Sequence, residues 1–282
     1  MKAIILNLLA WVFLPFMDGI AKYLSADMPV LQITWARYFF TVAFTLPIMF
    51  LFFNKQLTWS EKPKLQIIRG VILLCANICF FYSISVISLA KALTLAFIAP
   101  LIVTAFSPVI LKERVGVKRW TAVIIGFIGS LVVIRPGFVE LNLASFAALG
   151  TGLMYGFYLL ITRKLSTSDN PLLTLLLTGL TGAVIISFAM PFVWVQPTAN
   201  QWYLMASIGI FAIIGHLLLI LSLEYADASK LAPFSYFEII TNILIGYYFF
   251  SDFPDNWTFL GLFIIVCSGI YISRREHHVS AN

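Results

Sequence analysis

Residues 21–29 read Ala21-Lys22-Tyr23-Leu24-Ser25-Ala26-Asp27-Met28-Pro29, and 142 positions later residues 163–171 read Arg163-Lys164-Leu165-Ser166-Thr167-Ser168-Asp169-Asn170-Pro171. Lysine, aspartate and proline fall in register. Each stretch is a polar turn between two apolar runs of about twenty residues, the length that crosses a bilayer core at 1.5 Å per residue. Two further echoes keep the same order: Ala90-Lys91-Ala92 with Ala226-Asp227-Ala228, and Trp120-Thr121 with Trp257-Thr258. Together they mark a duplicated unit.

Working outward from these turns, apolar runs fall near residues 3–24, 30–53, 65–87, 91–111, 118–134, 142–163, 171–194, 201–223, 229–250 and 256–272. The expected fold is therefore an all-α integral membrane protein with ten transmembrane helices. Residues 1–137 form a first five-helix repeat and residues 138–282 a second. Five is odd, so the second copy inserts inverted relative to the first, an arrangement of many secondary transporters. The first run carries Asp18 and has no small-residue cleavage pattern, so it reads as a helix and not as a signal peptide.

Composition requires the same class. Of 282 residues 61% are hydrophobic and 11% charged, with mean hydropathy +0.97; a soluble domain carries roughly 25% charged residues. Too little polar surface exists to cover a water-facing fold of this size.

The net charge of +6 could suggest nucleic acid, but the basic residues lie in short loops between apolar runs. With a cytoplasmic N-terminus, fourteen Lys and Arg fall on the cytoplasmic side and Lys22, Lys91 and Arg135 on the other. That asymmetry is a topology signal and excludes a nucleic-acid partner. It predicts a multi-pass protein of the plasma (bacterial inner) membrane with both termini cytoplasmic. Cys75, Cys79 and Cys267 sit inside apolar runs with no completing ligand and read as small buried residues, so no metal is expected. No phosphate-binding glycine–lysine loop, no zinc-protease motif and no clear nucleophile–base pair appears. The expectation is a protein that is not an enzyme and needs no cofactor.

In hydrocarbon an ionisable side chain costs at least about 2.5–3.5 kcal/mol, so each needs a partner, a cavity or a task. Four stand out: Asp18, Arg37, His216 and Glu238. None has an ionisable equivalent in the other half, since Asp18 maps onto Leu160 and Arg37 onto Gly179. Asp18 and Arg37 flank the first turn at similar depth, roughly 10 Å from the same face. Two readings follow: a structural ion pair, or an Arg37 that grips a substrate carboxylate or phosphate while Asp18 poises it. Lys22, at i+4 from Asp18, is a competing partner. Glu238 shares its helix face with Ser235, Thr241 and Asn242, which suits a proton or amine site, or a protonated acid bonded to a neighbouring helix. His216 reads either as a packing residue or as part of the site. Asn7, Trp11, Asp18 and Lys22 form a polar seam on the first run, and Asn77, Tyr82 and Tyr236 could add polar or stacking contacts. Pro15, Pro100, Pro108 and Pro233 fall inside runs, where they can kink a helix and free a carbonyl.

The stretches Trp35-Ala36-Arg37-Tyr38, Ala90-Lys91-Ala92, Ala99-Pro100, Leu111-Lys112-Glu113-Arg114, Arg119-Trp120, Gly126, Gly129 and Arg135-Pro136-Gly137 carry a family resemblance over essentially the whole chain. The sequence is similar to the drug/metabolite transporter superfamily, in its ten-helix EamA-type branch. It departs at Phe250-Ser251-Asp252, where a glycine–glutamate pair is common. The resemblance implies alternating access through a central cavity lined by runs 1, 2, 3, 8 and 9.

The function expected is secondary-active transport of a small polar metabolite, either an organic anion or an amino acid or similar zwitterion, coupled to protons or to exchange. The candidate substrate-binding residues are Arg37, Glu238, Asp18, His216, Asn77, Tyr82, Tyr236 and Asn242. The expected partners are the small-molecule substrate, the lipid bilayer and protons. A lipid-handling flippase predicts instead a groove open sideways to lipid. A non-transporting scaffold predicts buried ionisable groups that all pair, leaving no cavity.

Overall fold

A computed structural model describes residues 1–53, 59–134, 142–166, 168–250 and parts of 256–268. Among these the regular structure is helical, with no strand. The helices are α1 (Lys2–Leu24), α2 (Val30–Phe52), α3 (Pro63–Val86), α4 (Leu89–Ala96), α5 (Ala99–Ile110), α6 (Val117–Ile134), α7 (Leu143–Leu165), α8 (Pro171–Ser187), α9 (Met190–Val193), α10 (Ala199–Tyr225), α11 (Ala228–Leu231) and α12 (Glu238–Phe250), with a 3₁₀ segment, Ala232–Phe237, between α11 and α12. Among the described residues six stretches are long and apolar enough to cross a membrane: α1, α2, α3, α7, α10 and the combined Lys91–Ile110. The tenth run lies partly, and Arg135-Pro136-Gly137 and the C-terminal tail wholly, outside the described residues.

Helix starts follow local chemistry. Pro63 and Pro171 occupy first-turn positions where no amide is needed. Asn142 and Asn170 cap α7 and α8 through their side chains, and Thr198 with Gln201 builds a capping box on α10. Three runs expected as single helices are broken. Phe97 and Ile98 separate α4 from α5, Phe188 and Ala189 separate α8 from α9, and the 3₁₀ segment divides residues 228–250. Pro100 and Pro233 therefore stand in first turns, not in helix interiors; Pro15 and Pro108 are interior.

α1 packs along α10 and α3 packs along α7, with α2 set against α8 and α10. Glycines permit the closest approaches: a Cβ at Gly215 would sit 2.6 Å from Leu14 on α1, and one at Gly156 would sit 2.8 Å from Ile102 on α5. The outer surface carries large apolar side chains such as Phe52, Val109, Phe188 and Phe192, which suits lipid and not water. Cys75 and Cys267 belong to this surface, correcting the expectation that all three cysteines are buried. No cluster able to hold a metal occurs among the described residues.

The end of the bundle bearing the basic loops is stitched by two acids. Lys112 adopts φ 58° at the end of α5 and turns Glu113 back toward α11. Glu113 accepts hydrogen bonds from the Ala228 and Ser229 amides at 3.0 and 3.1 Å and from Ser229 Oγ at 2.8 Å. Arg163 lies 3.6 Å from Glu113 and 3.3 Å from Asp227, and Arg119 lies 3.6 Å from Asp227. Nearby, Asp169 accepts from the Glu61 amide at 3.0 Å, from Gln66 Nε2 at 2.7 Å and from Ser60 Oγ. Burial alone would raise the Asp169 pKa, but those three donors and the Lys62 charge hold it below the ordinary carboxylate range.

Candidate functional site

A central cavity of about 90 Å³ lies between α1, α3, α4, α5, α7, α10 and the α11–α12 segment. Residues 7, 11, 14 and 18 follow i, i+4, i+7 and i+11, so Asn7, Trp11, Leu14 and Asp18 all reach it from one face of α1. Asn77, Tyr155, His216, Ser235 and Glu238 complete its polar wall. At one end Trp11 Nε1 donates to Asn7 Oδ1 at 2.8 Å, and Asn7 Nδ2 donates to Ser222 Oγ at 3.2 Å, which fixes both side chains. The lining thus includes runs 4 and 6, which the resemblance did not imply, and omits run 2.

Asp18 and Glu238 are 4% and 9% exposed, and neither carboxylate has a hydrogen-bond partner among the described residues. Buried acceptors of this kind are normally satisfied. Glu238 is held here by the helix break, because it opens α12 directly after the 3₁₀ turn through Pro233 and Ser235.

The expected Asp18–Arg37 neighbourhood resolves differently from a direct pair. Arg37 Nε points at Met17 Sδ, 3.3 Å away, and Nη2 lies 2.6 Å from His216 Nε2, with the guanidinium over the Tyr38 ring at 4.5 Å. Met17 and Asp18 are about 100° apart around α1, so Arg37 docks on the face beside the carboxylate. Lys22 donates to the Ile84 and Ile87 carbonyls at 2.9 and 3.3 Å, closing the end of α3.

Because a guanidinium only donates, His216 Nε2 is the acceptor, and the ring proton sits on Nδ1, 3.1 Å from Tyr158 Oη. Tyr158 Oη also accepts from Arg69 Nη2 at 2.9 Å. Arg69, wholly buried, further donates to Thr162 Oγ1 at 2.7 Å, to the Thr174 carbonyl at 3.1 Å and to Thr178 Oγ1. His216 lines the central cavity and also a second, smaller one walled by Arg37 and Arg69.

Of the eight candidates, Asp18, Asn77, His216 and Glu238 line the central cavity, and Arg37 stands behind it, in contact with the lining residues Met17 and His216. Asn77 donates to Tyr38 Oη at 3.1 Å and to the Leu73 carbonyl at 2.6 Å. Tyr236 packs away from the cavity: its ring lies 5.2 Å from Phe97 and its hydroxyl donates to the Val123 carbonyl at 3.1 Å. Tyr82 is half-buried and is not in the lining. Asn242 sits a turn beyond Glu238, bonded to its carbonyl at 3.1 Å, with Oδ1 buried and unpaired. Sequence reading missed Arg69, Tyr155 and Tyr158. The signal for Arg69 was present, since Gln66, Arg69 and Asn77 recur on one face of α3.

A helical membrane bundle with a central, acid-lined cavity is the architecture of a carrier. The sequence profile of the EamA-like transporter family matches residues 1–135 and again 142–274, and the chain belongs to that family. It is 24% identical to an S-adenosylmethionine uptake transporter of Rickettsia bellii, over 92% of this chain and 89% of that one. It is 25% identical to a riboflavin transporter of Vibrio cholerae, over 93% and 92%. It is 28% identical to the pseudopaline exporter CntI of Pseudomonas aeruginosa, over 98% and 97%. A protein of known crystal structure superposes with a TM-score of 0.80 at 16% identity, over 97% of this chain and 98% of that one, a likeness of fold. Relatives across the chain's length are transporters, so this is a transport protein and not an enzyme.

Proposed function

We propose that the protein is a secondary-active carrier that moves a small polar metabolite bearing a protonated amine, an amino acid or similar zwitterion, by alternating access. The observation that carries this reading is the pair of buried carboxylates, Asp18 and Glu238, on the wall of one central cavity without a hydrogen-bond partner among the described residues. Such acceptors favour an ammonium group, which donates and neutralises at once. Either carboxylate can carry a proton in the ammonium's place, which is the chemistry that proton exchange needs. Trp11 and Tyr155, with rings 6.3 Å apart, give an apolar or aromatic portion of the substrate a surface to lie on. The relatives named for S-adenosylmethionine, riboflavin and pseudopaline agree with a small-metabolite substrate.

The carrier crosses the plasma (bacterial inner) membrane ten times as two inverted repeats, residues 1–137 and 138–282, with both termini cytoplasmic. Helix pairing supports this: exchanging the halves turns the α1–α10 contact into the α3–α7 contact and maps α2–α8 onto itself. A cavity of about 90 Å³ is well below the ~300 Å³ of a typical ligand pocket, so the substrate requires a wider state. A scaffold predicts that the buried ionisable groups all pair and leave no cavity, whereas Asp18 and Glu238 line one without a hydrogen-bond partner among the described residues. An apolar groove of about 350 Å³ between α1, α10 and α12 is the feature on the side of lipid handling, but among the described residues no charged one lines it to meet a headgroup.

Thermal shift of the detergent-purified protein against amines, amino acids, carboxylates and nucleosides tests the proposal. Amines or zwitterions should raise Tm in the wild type and lose that effect in Asp18→Asn and Glu238→Gln, each still folded. Stabilisation by carboxylates alone, unchanged in both variants, would overturn it.

A further inference from the structure

Arg37 and Arg69 meet in a second cavity, between α2, α3, α7, α8 and α10, whose wall holds no carboxylate among the described residues. It is small: the centre of a water-sized sphere has about 10 Å³ in which to move. Both arginines are buried, at 2% and 0% exposure, and every hydrogen-bond partner of either guanidinium is neutral. Buried cations are normally paired. Arg69 at least fills its donors with threonine and tyrosine oxygens. Arg37 fills its donors less well: Nε faces a thioether, a weak acceptor, its other partners are His216 Nε2 and the Tyr38 hydroxyl, and the Asp18 carboxylate acts on it only from beyond ion-pair distance.

The rest of the wall adds donors. Tyr158 Oη accepts from both Arg69 and His216, which leaves its own proton without a protein acceptor. Tyr38 Oη accepts from Asn77 and has the same surplus. The Thr41 and Thr178 hydroxyl protons are already given to helix carbonyls. A water molecule placed here would bring two more protons into a wall that already has an excess. A sphere with no protons and one negative charge would serve every spare donor and offset one of the two cations.

We propose that this second cavity is a binding site for a monatomic anion of chloride size, held by Arg37 with the Tyr38 and Tyr158 hydroxyls beside it. The site is separate from the central cavity, with His216 as the shared wall, and it does not rest on the identity of the transported substrate. Its occupant joins α2 to α3 and α7 electrostatically.

The test compares Tm of the purified protein in sodium chloride and in sodium gluconate at fixed ionic strength, gluconate being too large to enter. Chloride should raise Tm saturably, by roughly 5–10 °C at a hundredfold excess over Kd. Arg37→Gln should abolish the rise and Arg37→Lys keep part of it. Bromide soaked into wild-type crystals should give an anomalous peak between Arg37 and Arg69. Equal wild-type Tm in the two salts overturns the site, whether or not the variants fold. A chloride effect undiminished in Arg37→Gln, or bromide found only elsewhere, overturns its location.

Discussion

Replacing Arg69 by methionine removes one guanidinium that ties α3 to α7 and α8 through four neutral acceptors. Hydrogen bonds from a charged donor contribute about 1.5–3 kcal/mol each, so the gross loss is about 6–12 kcal/mol. Removing the ion also removes its desolvation penalty, several kcal/mol for a buried cation. The acceptors are not all left bare: the Thr162 and Thr178 hydroxyls keep their bonds to the Tyr158 and Thr174 carbonyls, and Tyr158 keeps His216. The balance, the gross loss less a desolvation penalty of several kcal/mol, is a destabilisation of about 3–5 kcal/mol. Arg69→Lys keeps the charge but offers donors from one point, so it reaches about half the acceptors and costs about 2–3 kcal/mol. Equilibrium unfolding in mixed detergent–SDS micelles measures both. If Arg69→Met lies within about 0.5 kcal/mol of wild type, desolvation cancels the bonds and Arg69 is not a structural tie.

Glu113→Ala removes the acceptor for two α11 amides and for Ser229 Oγ and should cost about 1–2 kcal/mol in the same assay, with Glu113→Gln losing less; equal and negligible losses would show that the loop contact is idle. Asn242→Leu exchanges one hydrogen bond worth about 1 kcal/mol for removal of a buried unpaired oxygen costing about 1–3 kcal/mol, so its stability should match or exceed wild type. A clear fall in its Tm would mean that the oxygen has a partner. The pKa of Asp169 is lowered in the folded protein, so its contribution is complete above the unfolded-state pKa and is lost as pH falls through the folded one. Asp169→Asn should therefore be less stable than wild type at neutral pH, with the gap closing only in strong acid; a gap independent of pH would assign the effect to lost geometry. Gly215→Leu forces a branched side chain into the α1–α10 seam and should cost at least about 1–3 kcal/mol, read as a lowered Tm.

Much of the fold was legible because hydrocarbon imposes a length on every crossing. The runs at 3–24, 30–53 and 65–87 became α1, α2 and α3 within two residues, since polar turns and prolines stop a helix in sequence as they do in space. The breaks at Phe97–Ile98 and Ala232–Phe237 were not legible: a proline announces that a helix can yield, but packing decides where. At the site, depth along a helix could be read and azimuth could not. Asp18 and Arg37 were placed at one level from helix rise, yet it is Met17 that faces the guanidinium, because the relative rotation of α1 and α2 is set by neighbours such as His216. Arg69 was counted as a loop charge because basic residues near a run's end usually mark topology; its burial depends on threonines more than ninety residues away. Family membership and the carrier reading came from motifs that needed neither azimuth nor contacts.

The six-residue 3₁₀ turn ahead of Glu238 makes the direction of that carboxylate a function of winding. A 3₁₀ helix advances about 2.0 Å and 120° per residue, an α-helix about 1.5 Å and 100°. If Ala232–Phe237 rewound to α geometry, α12 would draw in by about 3 Å and Glu238 would swing by about 120° around its axis. That swing, made without moving α1 or α10, would carry the acid off the cavity wall and leave Asp18 facing the cavity alone. A change of pitch in six residues would thus act as a screw thread, converting a short axial slide into the making and unmaking of a two-carboxylate site.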